Sequence, residues 1–155
     1  MAIEHGEIMG IQIRDMVLVA DQEDPIYRGD LYLDGVKIGS FEEDQDGGPT
    51  AIYVDSDASD SLRERMDSFF AKEGFSVQEE EDYDLFFIRL IELEQLLQVF
   101  LELPERGMAY LVADYTDEEM VVYEVENDMG LDQLILEGRM EDYDVYRSLE
   151  DFVIS

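Results

Sequence analysis

The chain has no cysteine, no tryptophan, one histidine and three prolines among its 155 residues. Without cysteine there are no disulfides and no thiolate metal sites, and cysteine usage gives no reading of redox compartment. A single histidine, His5, argues against a multi-histidine zinc site or a histidine-based triad. It falls in a polar stretch, residues 1–10, that reads as a flexible N-terminal tail. The opening MAIEHGEIMG lacks the basic and apolar regions of a signal peptide. Arg89, Glu92 and Glu94 interrupt the best candidate for a membrane span. The expectation is a cytoplasmic protein with no membrane partner. Neither a glycine-rich phosphate loop nor a Gly-x-Ser-x-Gly elbow is present, so no catalytic residue, metal ligand or cofactor is assigned.

Positive charge is scarce too: ten Lys and Arg stand against 41 Asp and Glu, a net charge of -31. Such a surface repels nucleic acid and anionic membrane, so direct nucleic-acid binding is excluded. Acidic composition with few aromatics signals disorder, but 46% hydrophobic residues, nine Tyr and eight Phe describe a folded domain with an acidic coat. At this length one domain, residues 1–155, buries about two thirds of its unfolded surface.

The core centres on Leu85 to Leu103, LFFIRLIELEQLLQVFLEL. From Leu90, apolar residues at Leu93, Leu97, Phe100 and Leu101 follow helical spacing, and Pro104 and Gly107 stop the helix. Leu85 to Ile91 is nearly continuous apolar, which suits either a buried strand or the first helical turns. The reading favoured is a strand that turns into the helix near Glu92.

Elsewhere, Ile11 to Ala20 reads as a strand. Asp30 to Phe41 reads as a hairpin around Asp34-Gly35, a pair that favours a type I′ turn. Ala51 to Val54 is a short strand. A helix follows, capped by Ser59 or Asp57, with Leu62, Met66, Phe69 and Phe70 inward and Gly74 at its end. Glu79 to Asp82 reads as an acidic loop. Met108 to Tyr115 and Glu119 to Glu126 make a second antiparallel pair. Asn127 or Asp128 caps a short helix with Leu131, Leu134 and Ile135 inward and Gly138 as its stop. Ser148 to Ser155 reads as a last helical turn. Strands and helices mix without β-α-β alternation, so the expected class is α+β, a single domain with a largely antiparallel sheet, β-hairpins and two or three helices.

Two short motifs bear on chemistry. Ala51-Ile52-Tyr53-Val54-Asp55-Ser56-Asp57-Ala58-Ser59, a strand ending in Asp-x-Asp, is similar to the opening motif of haloacid-dehalogenase-type phosphotransferases. That resemblance implies Asp55 as nucleophile, Asp57 as acid/base, magnesium beside them and a parallel Rossmann-like sheet. The sequence departs from the family with a hairpin before the motif and with Ser59 where Thr or Val is usual. As an EF-hand the stretch fails, with Asp60 where Gly is required and Met66 where Glu is required.

What remains is carboxylate in clusters: Glu42, Glu43, Asp44 and Asp46; Asp55, Asp57 and Asp60; Glu79, Glu80, Glu81, Asp82 and Asp84; and Asp117, Glu118 and Glu119. Any one charged run is ordinarily a solvated face. Arrayed together, carboxylates accept bidentate arginine as phosphates do, and basic grooves built for DNA receive one charge per about 1.7 Å of duplex axis. A small, cysteine-free, highly acidic folded chain resembles the DNA-mimic inhibitors of phages and mobile elements, of anti-restriction and anti-CRISPR type. GDLYLDGVKIGSF with the following DGGP also looks like a hairpin of small phage and plasmid proteins. The resemblance implies a partner with a basic nucleic-acid-binding surface, in particular a nuclease. Two other readings are an acidic adaptor or assembly protein, which predicts an exposed apolar patch beside the acids, and a magnesium-dependent phosphotransferase using Asp55 and Asp57. A halophilic host would also give the acidic excess.

Overall fold

The computed structural model describes residues 4–19, 25–44, 50–116 and 119–154. The fold is α+β, with two mostly antiparallel sheets and, among the described residues, three α-helices. Two compact units form, one of Met1–Glu94 with Val153–Ser155 and one of Gln95–Phe152.

The first unit is built on a six-stranded sheet. Its strands are β1 (Glu7–Ile8), β2 (Ile11–Val19), β3 (Ile26–Leu33), β4 (Val36–Glu42), β5 (Ala51–Val54) and β9 (Val153–Ile154), in the order β5-β4-β3-β2-β1-β9. The β1–β9 pair is parallel and the others are antiparallel. Alternation explains its inner face: Ile8, Ile11, Ile13, Leu31 and Phe41 are all buried. Two bulges twist the sheet, one in β2 where Asp15 adopts φ 54° and one at Ile38 of β4, opposite Leu31 and Tyr32 of β3. The β3–β4 hairpin turns at Asp34 and Gly35, with φ of 51° and 85°, the two positive values a type I′ turn requires.

Helix α1 (Ser56–Lys72) covers that inner face with Leu62, Met66, Phe69 and Phe70. Its N-cap is Asp55, two residues before the nearer expected cap, and its C-terminal turn closes on Gly74 at φ 73°. Helix α2 (Asp84–Glu102) begins in the first unit and continues into the second.

The strand expected over Leu85 to Ile91 is therefore helix. Phe86, Phe87, Leu90, Leu93 and Leu97 are buried while Leu85 and Ile88 face outward, a helical alternation hidden inside an unbroken apolar run. Phe87 stacks on Phe41 of the sheet, with centroids 6.3 Å apart, and Phe86 meets Phe69 of α1 edge to face at 5.4 Å. Only a helix turns adjacent phenylalanines toward two different neighbours on the same side, and tertiary partners decide a segment that periodicity leaves open.

The expected tail is likewise folded from Glu4 to Gly10. Ile8 is fully buried, and Gly6 lies so close to α2 that a Cβ there would sit 3.0 Å from Leu93. His5 Nδ1 lies 3.0 Å from Glu94 Oε1, and the Gly6 amide donates to Glu94 Oε2 at 2.8 Å. Glu94 is only 5% exposed. The two-residue strands β1 and β9 are too short to give a pattern in sequence.

The second unit carries a three-stranded sheet of β6 (Tyr110–Asp114), β7 (Val121–Val125) and β8 (Tyr143–Tyr146), in the order β7-β6-β8. Val112 and Val125 pack with Leu131 and Met140 beneath α3 (Asp128–Gly138). On the opposite face of the central strand Leu111 and Ala113 are buried, and Phe152 stacks on Tyr146 at 4.4 Å. Asn127 caps α3, its side chain accepting from the Gly130 amide at 2.9 Å. The helix stops at Arg139 with φ 49°, one residue beyond the expected Gly138. Leu149–Phe152 forms the expected last turn, as a 3₁₀ helix, before β9.

Candidate protein-binding surface

Helix α1 carries Asp57, Asp60, Glu64 and Asp67 at i, i+3, i+7 and i+10, and all four are exposed. That spacing puts them in one stripe on the side opposite Leu62, Met66 and Phe69. At 1.5 Å per residue the stripe is about 15 Å long, with a carboxylate every 4.5–6 Å or so along the axis.

The arginines of the same helix do not neutralise it. Arg63 makes a two-pronged contact with Glu80 at 2.6 and 2.8 Å. Arg65 reaches Asp34 at 2.8 and 3.1 Å and donates to the Met9 carbonyl at 2.8 Å. Both guanidinium pKa values are raised, chiefly by these hydrogen bonds, and the Asp34 carboxyl is lowered by its bond from Arg65. Each arginine is thus hydrogen-bonded to an acid of another segment, and the weaker attraction of Arg63 to Asp67 and of Arg65 to Glu64 leaves most of the stripe's charge in place.

A second acidic segment lies beside α1. Glu79 to Asp82, expected as a loop, forms the start of a 3₁₀ turn over Glu80–Tyr83. The turn exists because Asp82 folds back to accept the Gln78 and Glu79 amides at 2.8 and 3.1 Å. The Arg63–Glu80 pair ties it to α1, as does Tyr83, whose hydroxyl donates to Asp67 at 2.6 Å and whose ring lies 4.9 Å beneath Arg63. The bond to Asp67 also raises the Tyr83 pKa. Glu79 and Glu81 remain exposed.

The other expected positions are scattered or occupied. Asp55 is exposed at the N-cap of α1, and its carbonyl accepts the Ala58 and Ser59 amides. Asp84 accepts the Thr50 amide at 2.9 Å and Glu43 the Tyr27 amide at 2.8 Å, so both carboxylates serve the fold. Glu42 lies opposite Arg28 in the sheet and Asp44 is exposed at the end of β4. Glu119 is exposed in the second unit, while Asp46, Asp117 and Glu118 lie outside the described residues.

Structure therefore joins the Asp55 and Glu79 clusters and adds Glu64 and Asp67, which a search for consecutive acids overlooks. The signal that finds them is the 3-4-3 spacing along a helix already recognisable from its apolar face.

The phosphotransferase resemblance implies a parallel sheet, whereas β5 is an antiparallel edge strand. Asp57 is exposed like Asp55, and among the described residues no three His, Asp or Glu side chains converge to hold a metal ion. Among those residues, too, no helix is long and apolar enough to cross a membrane. Compared with family models, with curated proteins and with solved structures, the chain matches none.

Proposed function

We propose that this chain is a non-enzymatic acidic binding protein that occupies the basic nucleic-acid groove of a nuclease, in the manner of an anti-restriction or anti-CRISPR inhibitor. The observation that carries the reading is the α1 stripe, four exposed carboxylates whose nearest arginines are committed elsewhere. A helix is a rigid carrier, so its charges are presented without the entropy cost of ordering a loop. Their axial spacing of roughly 5 Å is coarser than the 3.4 Å per phosphate of one DNA strand, yet each accepts arginine in the geometry phosphate does. Displacing labelled duplex or guide-loaded target from a panel of basic nucleases at two salt concentrations tests it. Displacement that weakens with salt and is lost when Asp57, Asp60, Glu64 and Asp67 become amides supports the reading. Displacement indifferent to those four changes refutes this surface.

The adaptor reading has one observation of its own. Helix α3 exposes Met129 and Leu136, each 79% accessible, at i and i+7 beside Asp132. A partner whose affinity falls on Met129→Ser with Leu136→Ser, and not on neutralising α1, would favour it.

A further inference from the structure

The outer face of the six-stranded sheet differs electrically from the rest of the chain. Register places Arg14 opposite Asp30 and Arg28 opposite Glu42, and Lys37 lies 3.5 Å from Asp30. Glu7, paired with Gln12, and Asp15, exposed at the β2 bulge, bring the face to four carboxylates and three cations. The charges nearly balance there, with one carboxylate in excess, in a chain of net charge -31. The same face is not wholly polar. Tyr53 is 61% exposed and Val17 46%, and with Arg28, Ser40 and Glu42 they border a concavity of about 430 Å³. Arg28 is itself exposed and makes no ion pair with another described residue.

We propose that this face binds a second copy of the chain. A two-fold interface sets a patch against itself, so a patch of one sign opposes itself and a patch of both signs can match. The α1 stripe would place carboxylates against carboxylates. The sheet face instead offers Arg28 of one copy to Glu42 of the other, with Tyr53 and Val17 covering apolar surface between them. Strands β2 to β4 run seven to nine residues. With strands about 4.8 Å apart and about 3.3 Å per residue, these three strands offer roughly 400 Å² in projection. That projected area is about half of the roughly 800 Å² of accessible surface each partner gives a standard interface.

Salt dependence separates this inference from the inhibitor reading. Acid-to-base capture of a nuclease weakens with salt. Self-association strengthens, because screening removes repulsion between the charges outside the contact while the contact itself carries little net charge.

Sedimentation equilibrium of the full chain, at about 0.05 M and about 0.5 M salt, tests the proposal. The expected result is a monomer–dimer equilibrium whose association constant rises at least about tenfold at the higher salt. Tyr53→Asp and Arg28→Glu, both at exposed side chains, should each lower that constant about tenfold or more, as expected for hot-spot residues. Combining Arg28→Glu with Glu42→Arg should restore it, since a two-fold contact survives exchange of its charges. Circular dichroism checks that each variant is folded. A chain that stays monomeric at high salt overturns the proposal, as does a dimer that neither Tyr53→Asp nor Arg28→Glu weakens.

Discussion

Removing charge from α1 should make the protein more stable while making it a poorer inhibitor. The perturbation is Asp60→Asn with Glu64→Gln. Both side chains are exposed, neither is in the first turn, and Arg63, the nearest cation in the stripe's middle, is held by Glu80. The two changes abolish three like-charge neighbours, Asp57–Asp60, Asp60–Glu64 and Glu64–Asp67. At about 0.2–0.5 kcal/mol for each i,i+3 or i,i+4 pair, the relief is about 0.6–1.5 kcal/mol. In a chain of this size that corresponds to roughly 1–6 °C in Tm. Urea unfolding followed by circular dichroism measures the free energy. The gain should be largest near 0.02 M salt and mostly gone near 0.5 M, because exposed charges are screened within a few ångströms there. A loss of stability at low salt, or a gain that salt leaves untouched, would refute the argument that these carboxylates repel one another without compensation. Stability gained on losing them would mark the stripe as retained for something other than folding.

Other outcomes follow from single contacts. Glu94→Leu strands the buried Gly6 amide and His5, and should cost about 1–3 kcal/mol in urea unfolding. Glu94→Gln keeps an acceptor and should cost less than half as much, and equal losses would show that the hydrogen bonds are not what Glu94 supplies. Gly39→Ala would put a Cβ 2.0 Å from the Tyr53 carbonyl oxygen, so β5 must leave its register. Hydrogen exchange over residues 51–54 should speed up, and about 1–3 kcal/mol should be lost, as in an overpacked site. The Asp34 carboxyl is depressed by Arg65, so its contribution is present above the unfolded value near 3.8 and is lost as pH falls through the lower folded value. The stability difference between wild type and Asp34→Asn should accordingly shrink as pH falls below 3.8, and a difference that stays constant on acidification would contradict the pairing.

Much of the fold was open to reading where pattern and local chemistry agree. The Asp34-Gly35 hairpin, the apolar face of α1 and the Asn127 cap each follow from a few adjacent residues whose backbone preferences act alone. Composition by itself set the charge and the absence of thiol chemistry, and the order of strand and helix patterns set the α+β class. What needed the tertiary structure was everything settled by a distant partner. Residues 85–91 carry no period that separates strand from helix, and the choice came from Phe41 and Phe69, which Phe87 and Phe86 must reach. The segment around His5 looked like a tail because its partner, Glu94, is 89 residues away in sequence. Clusters of consecutive acids were visible, but Glu64 and Asp67 join them only because a helix brings every third or fourth residue to one side and the turn at Glu80 packs against it. Likewise the near balance of charge on the outer sheet face exists only across strands, in pairs that no single segment contains. Sequence determines how much charge this chain carries; the packing of helix and sheet determines which faces carry it, because neighbours in space neutralise charge and neighbours in sequence do not have to.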